Sequence, residues 1–236
     1  MRIHNLRIIG TSHIAKQSIR EIIAAINDEK PGIIALELDS RRLEGLLHPR
    51  KETYKLTDIR AVGITGYLFA RIAAYAEEKL GESVGVKPGA EMKRAIHIAQ
   101  ERKIPLALID QEIALTLRHL NARVTLREKL RFVWDLAKAF VLRKPVAGFD
   151  LSTVPSEEVI ERLVGEVRVR YPNVYRTLIT DRNIVMARRL AALIRHHPNV
   201  PILAIVGAGH RRDITRLIQA ELAREGLKSA ESGKNL

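Results

Sequence analysis

The chain has 236 residues, with 40 Lys and Arg against 27 Asp and Glu, a formal net charge of +13, 46% hydrophobic residues and no cysteine. This size and balance fit one large α/β domain or two small ones, and they exclude a disulfide scaffold, a thiolate metal site and a cysteine nucleophile. The positive charge suits an acidic lipid surface, an acidic partner or a thermophile-like, arginine-rich exterior, whereas 4% aromatic residues and no zinc-finger or helix-turn-helix pattern argue against nucleic acid.

Met1-Arg2-Ile3-His4 runs directly into a predicted strand, Leu6 to Ile9, with no apolar leader, so a reducing cytoplasm is the expected compartment. Gly10-Thr11-Ser12-His13 then delivers a histidine to a helix with Ile14, Ile19, Ile22, Ile23 and Ile26 on one face, which stops before Pro31-Gly32. The run Ile33-Ile34-Ala35-Leu36-Glu37-Leu38-Asp39 reads as a strand covered on both faces and interrupted by one glutamate. Ser40 is expected to cap a short helix carrying Leu43, Leu46 and Leu47.

After a polar, basic stretch from His48 to Thr57, Ile59 to Leu80 reads as a helix with glycines at 63 and 66. Its most apolar part, Val62 to Ala76, is broken by Arg71 and is shorter than the roughly 20 residues of a membrane span, so it is expected in the core. Gly85-Val86-Lys87-Pro88-Gly89 opens a helix from Ala90 through Arg102, and Pro105 to Ile109 forms a third strand ending on Asp110. From Glu112 to about Leu142 the pattern is helical throughout. Val124, Leu130, Val133, Trp134, Ala137, Phe140 and Val141 form an apolar side, with Arg127, Arg131, Lys138 and Arg143 opposite. Core on one side and solvent on the other is the expectation; an acidic membrane surface, a partner or a homodimer seam are the functional alternatives.

Lys144 to Gly148 stops that helix, Ser156-Glu157-Glu158 starts the next, Pro172 ends it, and Val174 to His197 makes another. The fourth strand, residues 201–206, runs into Gly207-Ala208-Gly209-His210 and a helix patterned by Ile214, Leu217, Ile218 and Leu222. Alternating strands and helices give an α/β fold: three layers around a small, mainly parallel sheet of about four core strands. One domain is expected over residues 1–227, with a helical insertion at 111–197 between strands three and four and a polar tail at 228–236.

All four strands end on a group that can bind a metal or move a proton: His13, Glu37 with Asp39, Asp110 and His210. In a parallel sheet these meet at the carboxyl edge, where such folds hold ligands. Two imidazoles with one or two carboxylates suit a divalent ion such as Mn, Co, Fe or Zn, which would turn bound water into a hydroxide nucleophile. A carboxylate outside the ligand set could act as general base. Arg182 reads either as a substrate clamp or as counter-charge to Glu37, while Thr11, Ser12, Arg211 and Arg212 could hold an anion. Plainer roles compete: histidines that cap or fill a core, aspartates that cap helices, a solvated Arg182. Gly45-Leu46-Leu47-His48 shows that Gly-x-x-His alone is a weak motif. Glu37 is harder to explain away, because a carboxylate in a buried strand needs a partner, a proton or a metal.

Six blocks in order carry a resemblance: Gly10-Thr11-Ser12-His13; Ile34-Ala35-Leu36-Glu37-Leu38-Asp39-Ser40-Arg41-Arg42-Leu43; Gly85-Val86-Lys87-Pro88-Gly89-Ala90-Glu91-Met92; Leu108-Ile109-Asp110; Thr180-Asp181-Arg182-Asn183-Ile184-Val185-Met186-Ala187; and Val206-Gly207-Ala208-Gly209-His210. Together they resemble the TraB/PrgY family of pheromone-shutdown proteins, related to the Tiki metalloproteases and more remotely to erythromycin-esterase and ChaN-like folds. The resemblance implies a hydrolase, most of all a Mn- or Co-dependent peptidase. It places His13, His210 and Glu37 at the metal, Zn or Fe being the alternative ions, and makes Glu37, Arg182, Asp110 and Glu91 the catalytic set. The substrate would be a peptide or another small anionic molecule. A non-catalytic peptide- or anion-binding regulatory module, of the pheromone-sequestering kind and set at a membrane surface, is the alternative. Gln111 and Asp181 depart from the family's usual basic residue and glutamate, and the hydrophobic C-terminal region of many relatives has no counterpart in the sequence.

Overall fold

The apolar runs read as strands all join one sheet in the computed structural model, which describes residues 2–11, 16–48, 59–84, 89–142 and 157–232. The chain packs as two compact units. Unit 1 holds Met1–Pro49, Gly89–Gln111 and Asp181–Leu236, and unit 2 holds Arg50–Pro88 and Glu112–Thr180.

Unit 1 contains strands β1 (Arg2–Ile3), β2 (Leu6–Thr11), β3 (Ile33–Leu36), β4 (Leu106–Leu108) and β5 (Ile202–Gly207) in the order β1-β2-β5-β3-β4. The short β1 was not expected from the sequence; it pairs antiparallel with β2 across the turn at His4 and Asn5. The other four strands are parallel, with Leu6 opposite Ile202, Thr11 opposite Gly207, and Leu36 opposite both Ile205 and Leu108. The last strand in sequence therefore lies between β2 and β3.

Alternation along the strands divides the apolar side chains between two faces. Leu6, Ile8, Ala204 and Val206 pack with Met186, Leu190, Ile214 and Ile218 from α9 (Asp181–His196) and α10 (Ala208–Ser232). Ile34, Leu36, Leu203 and Ile205 pack with Ile22, Ile26, Met92 and Ile96 from α1 (Lys16–Glu29) and α4 (Ala90–Glu101). The result is the three-layer α/β arrangement, with each fully buried aliphatic side chain contributing about 1.5–3 kcal/mol. The short helix α2 (Ser40–Leu47) is capped by Asp39, whose carboxylate accepts from the Arg42 N–H at 2.8 Å. Ser40, expected as the cap, is its first residue because the longer Asp side chain one step earlier reaches that donor.

Unit 2 contains α3 (Ile59–Val84), α5 (Ile113–Arg123), α6 (Leu126–Leu142), α7 (Glu157–Arg170) and α8 (Pro172–Tyr175), followed by a π-helical turn at Arg176–Thr180. The helix expected to be continuous from Glu112 to Leu142 is broken at Val124-Thr125. Thr125 and Glu128 form a reciprocal capping box there: the Thr125 N–H donates to the Glu128 carboxylate at 3.0 Å and the Glu128 N–H to the Thr125 hydroxyl at 3.3 Å. Within α3, Gly63 adopts φ +75°, and the space a Cβ would need is filled by the Asn121 side chain, which accepts from the Thr65 N–H at 3.2 Å. Val62 and Ala70 are buried, but Ile64, Leu68 and Ile72 face outward, so the expected core helix is buried along one side only. No helix among the described residues is long and apolar enough to cross a membrane.

Candidate functional site

The parallel sheet of unit 1 brings Glu37, Asp110, Arg182 and His210 together at its carboxyl edge. Glu37 follows the last residue of β3 and continues its ladder, with its N–H donating to the Ile205 carbonyl at 3.1 Å. Its side chain thereby lies level with the end of β5, where the Gly207 N–H donates to Oε2 at 2.6 Å. Asp110 stands two residues beyond β4, its N–H donating to the Leu38 carbonyl at 3.3 Å, and Oδ1 accepts from the Gln111 N–H at 2.8 Å. Both carboxylates are 3% exposed.

Arg182, in the first turn of α9, joins them. Its Nε and Nη2 donate to the two oxygens of Asp110 at 2.9 and 2.7 Å, and Nη2 also donates to Glu37 Oε1 at 2.6 Å. Burial alone would lower the guanidinium's proton affinity; the hydrogen bonds and charges of Asp110 and Glu37 more than offset it, raising the pKa of Arg182 above its ordinary value. Of the two roles open to Arg182 in the sequence, the counter-charge is the one the geometry displays.

His210 lies in the first turn of α10, with Nε2 3.4 Å from Glu37 Oε1 and Nδ1 2.6 Å from Asn183 Oδ1. A carbonyl oxygen only accepts, so Nδ1 carries hydrogen, and in the charged imidazolium both N–H groups face an acceptor. Among the described residues, the two carboxylates share one buried guanidinium. Arg42 Nη1, 3.7 Å from Asp110 Oδ2, adds positive charge beside them.

Close packing underlies this meeting of elements. A Cβ on Gly10 would stand 3.1 Å from the Ala208 Cα and 3.3 Å from the Arg211 side chain, so glycine lets the start of α10 settle against β2. Glu91 is buried in the first turn of α4, beside Met92, and Asp39 is the cap of α2. Thr11 Oγ1 donates to the Val206 carbonyl at 3.5 Å. His13 and Ser12 lie outside the described residues.

The donor chemistry bears on a metal. Among the described residues, no group of three or more His, Asp and Glu side chains could hold a metal ion. Glu37 and Asp110 already share a guanidinium, and Glu37 Oε2 accepts a backbone N–H. A divalent ion on these two carboxylates would face the Arg182 charge at close range, so the described donors by themselves do not fit one.

Asn183, the partner of His210, was not expected at the site from the sequence. The signal was present: Asn183, Met186, Ala187, Leu190, Ala191 and Ile194 form the buried stripe of α9, and an amide on an apolar stripe needs partners. Its Nδ2 is buried with no hydrogen-bond partner among the described residues.

Residues 4–229 match the model of the TraB/PrgY/gumN family. The chain is similar to an uncharacterized protein of Methanocaldococcus jannaschii, 32% identical over 219 residues that cover 91% of this chain and 53% of the relative. It is also similar to TraB domain-containing proteins of Bos taurus and Homo sapiens, 25% and 24% identical over 229 residues that cover 86% of this chain and 59% and 60% of theirs. The chain thus spans a little over half the length of the curated relatives it matches. With six motif blocks in order and the matched span covering both units, the chain belongs to the TraB/PrgY/gumN family.

Proposed function

We propose that the chain is a hydrolase acting on a peptide or another small substrate bearing an anionic group, with His210 and Glu37 as its acid–base pair. The observation that carries this reading is the buried imidazole 3.4 Å from a carboxylate, held on its other nitrogen by Asn183. In that arrangement neutral His210 takes a proton from water at Nε2 while the water oxygen bonds to the scissile carbonyl carbon. The imidazolium so formed is stabilised by Glu37 on one side and Asn183 on the other. Return of the proton to the leaving amine accompanies breakage of the C–N bond. Arg182 keeps Glu37 in place through the cycle. Arg211, in the first turn of α10, is a candidate clamp for the substrate's anionic group.

A divalent metal, Mn or Co with Zn or Fe as alternatives, is a second reading. It is favoured by the Asn183 hydrogen bond to Nδ1, since metal-bound imidazoles commonly donate their other N–H to an oxygen. His210 and His13 would hold the ion, and Glu37 would join them only on release from Arg182 or Gly207. Bound there, a metal supplies a water of lowered pKa.

The test is cleavage of a mixed-sequence peptide library by the purified chain, read by mass spectrometry with Mn, with Co and with chelator. Cleavage is expected, falling about 100-fold or more in His210→Gln and in Glu37→Gln. Dependence on added ion would select the metal reading. An intact library under all conditions would leave the family's other possibility, a non-catalytic peptide- or anion-binding module.

A further inference from the structure

Over residues 126–135, helix α6 of unit 2 turns Glu128, Phe132 and Asp135 inward and an apolar stripe outward. Leu126, Leu130, Val133 and Trp134, at helical spacings of four, three and one, are 70%, 62%, 63% and 68% exposed. The inward side is fixed by polar contacts. Glu128 accepts from the Thr125 N–H and from the N–H and side-chain amide of Asn173, at 2.9–3.0 Å. Asp135 accepts from Arg170 and from the Tyr171 hydroxyl, and Arg131 donates to the Arg170 carbonyl at 2.8 Å. Phe132 stacks on Phe69 with ring centres 5.5 Å apart and meets Tyr171 edge-on at 6.2 Å. Rotating α6 to hide the stripe would break all of these contacts.

The charges beside the stripe have one sign. Both acidic side chains of α6, Glu128 and Asp135, are tied inward, whereas Arg127, Arg131 and Lys138 are exposed. We propose that the outward face of α6 docks on an acidic lipid surface, with Leu126, Leu130, Val133 and Trp134 entering the interfacial zone and Arg127 and Lys138 meeting anionic headgroups. A helix with aromatic and aliphatic residues on one face and cations along its margins has the chemistry for lying in that zone. A second copy fits less well: a two-fold contact would bring both sets of cations together with no exposed acid on α6 to answer them. Water alone fits least, since four large apolar side chains form a continuous face rather than scattered exposures.

The chain carries its own reporter, because Trp134 is its only tryptophan. The whole chain is mixed with vesicles of phosphatidylcholine alone or of equimolar phosphatidylcholine and phosphatidylserine, and tryptophan emission and co-sedimentation are followed at low and high salt. Blue-shifted emission and co-sedimentation are expected with the acidic vesicles, weakened by salt. Leu130→Asn/Val133→Asn should abolish both effects while leaving the far-ultraviolet circular dichroism unchanged, and Arg127→Gln/Lys138→Gln should weaken them several-fold. The proposal is overturned by acidic vesicles that leave emission unshifted, or by undiminished binding in Leu130→Asn/Val133→Asn. A dimer in sedimentation equilibrium that this same double variant dissociates would also overturn it, assigning the face to a second copy.

Discussion

Asn183 defines what a single side chain does at this site. With Oδ1 accepting from Nδ1 of His210 at 2.6 Å, it fixes the neutral ring as the Nδ1–H tautomer and leaves Nε2 as the nitrogen that receives a proton beside Glu37. Nitrogen chemical shifts of His210 in the full chain, taken where the ring is neutral, should therefore show Nδ1 protonated. Asn183→Leu removes the acceptor and should move the proton to Nε2, where it can donate to Glu37, whereas Asn183→Asp should keep it on Nδ1. An unchanged Nδ1–H ring in Asn183→Leu would show that Asn183 is structural filler. Glu37 was legible in the sequence because a carboxylate between Leu36 and Leu38 contradicts its surroundings. Asn183 contradicts its own just as clearly, but a 3.6-residue period is easily credited to its apolar members and the polar exception passed over. Arg182 as counter-charge to Glu37 was among the roles open in the sequence, but its two-point grip on Asp110, 72 residues away, was not.

Helix α6 shows what periodicity does and does not contain. Spacing correctly groups Leu130, Val133 and Trp134 on one face, but it does not say which face meets the core. The expectation of an inward apolar side holds for Val124, which is buried, and is reversed for Leu130, Val133 and Trp134, because Glu128, Asp135 and Phe132 have specific partners on α3, α7 and α8. The break at Thr125 was legible, since Thr125-Leu126-Arg127-Glu128 spells a capping box, and the longer apolar pattern concealed it. These polar contacts predict acid sensitivity. Hydrogen bonds from Arg170 and then from the Tyr171 hydroxyl, with Arg131 nearby, hold the Asp135 pKa down to about 2, against 3.8 ordinarily. A carboxylate depressed on folding stabilises above its unfolded pKa, and that contribution disappears as pH falls from about 4 to about 2. Urea midpoints should decline through that interval, with a smaller decline in Asp135→Asn; identical pH profiles would remove Asp135 from the account. Glu128, also lowered because hydrogen bonds from Thr125 and Asn173 outweigh its burial, acts in the same direction and should account for part of what remains.

Across the whole molecule, the sheet of unit 1 unites segments from three separate stretches of chain, and the site exists only where they converge. The four parallel strands were readable from their apolar runs and flanking turns, within two residues at every end but that of β3, which stops at Leu36 three residues short of Asp39, while the short β1 was not. Their order was not: β5 lies between β2 and β3 because long-range packing, rather than sequence proximity, chooses a strand's neighbours. The central claim is that Arg182 is the buried counter-charge that lets Glu37 and Asp110 stand at this edge, beside His210. Equilibrium denaturation of two variants tests it most directly. Arg182→Ala should cost about 3–5 kcal/mol, because it strands two buried carboxylates. Adding Glu37→Gln and Asp110→Asn should restore a large part of that loss, because the buried charges that Arg182 balanced are gone. A triple variant no more stable than Arg182→Ala would contradict the claim.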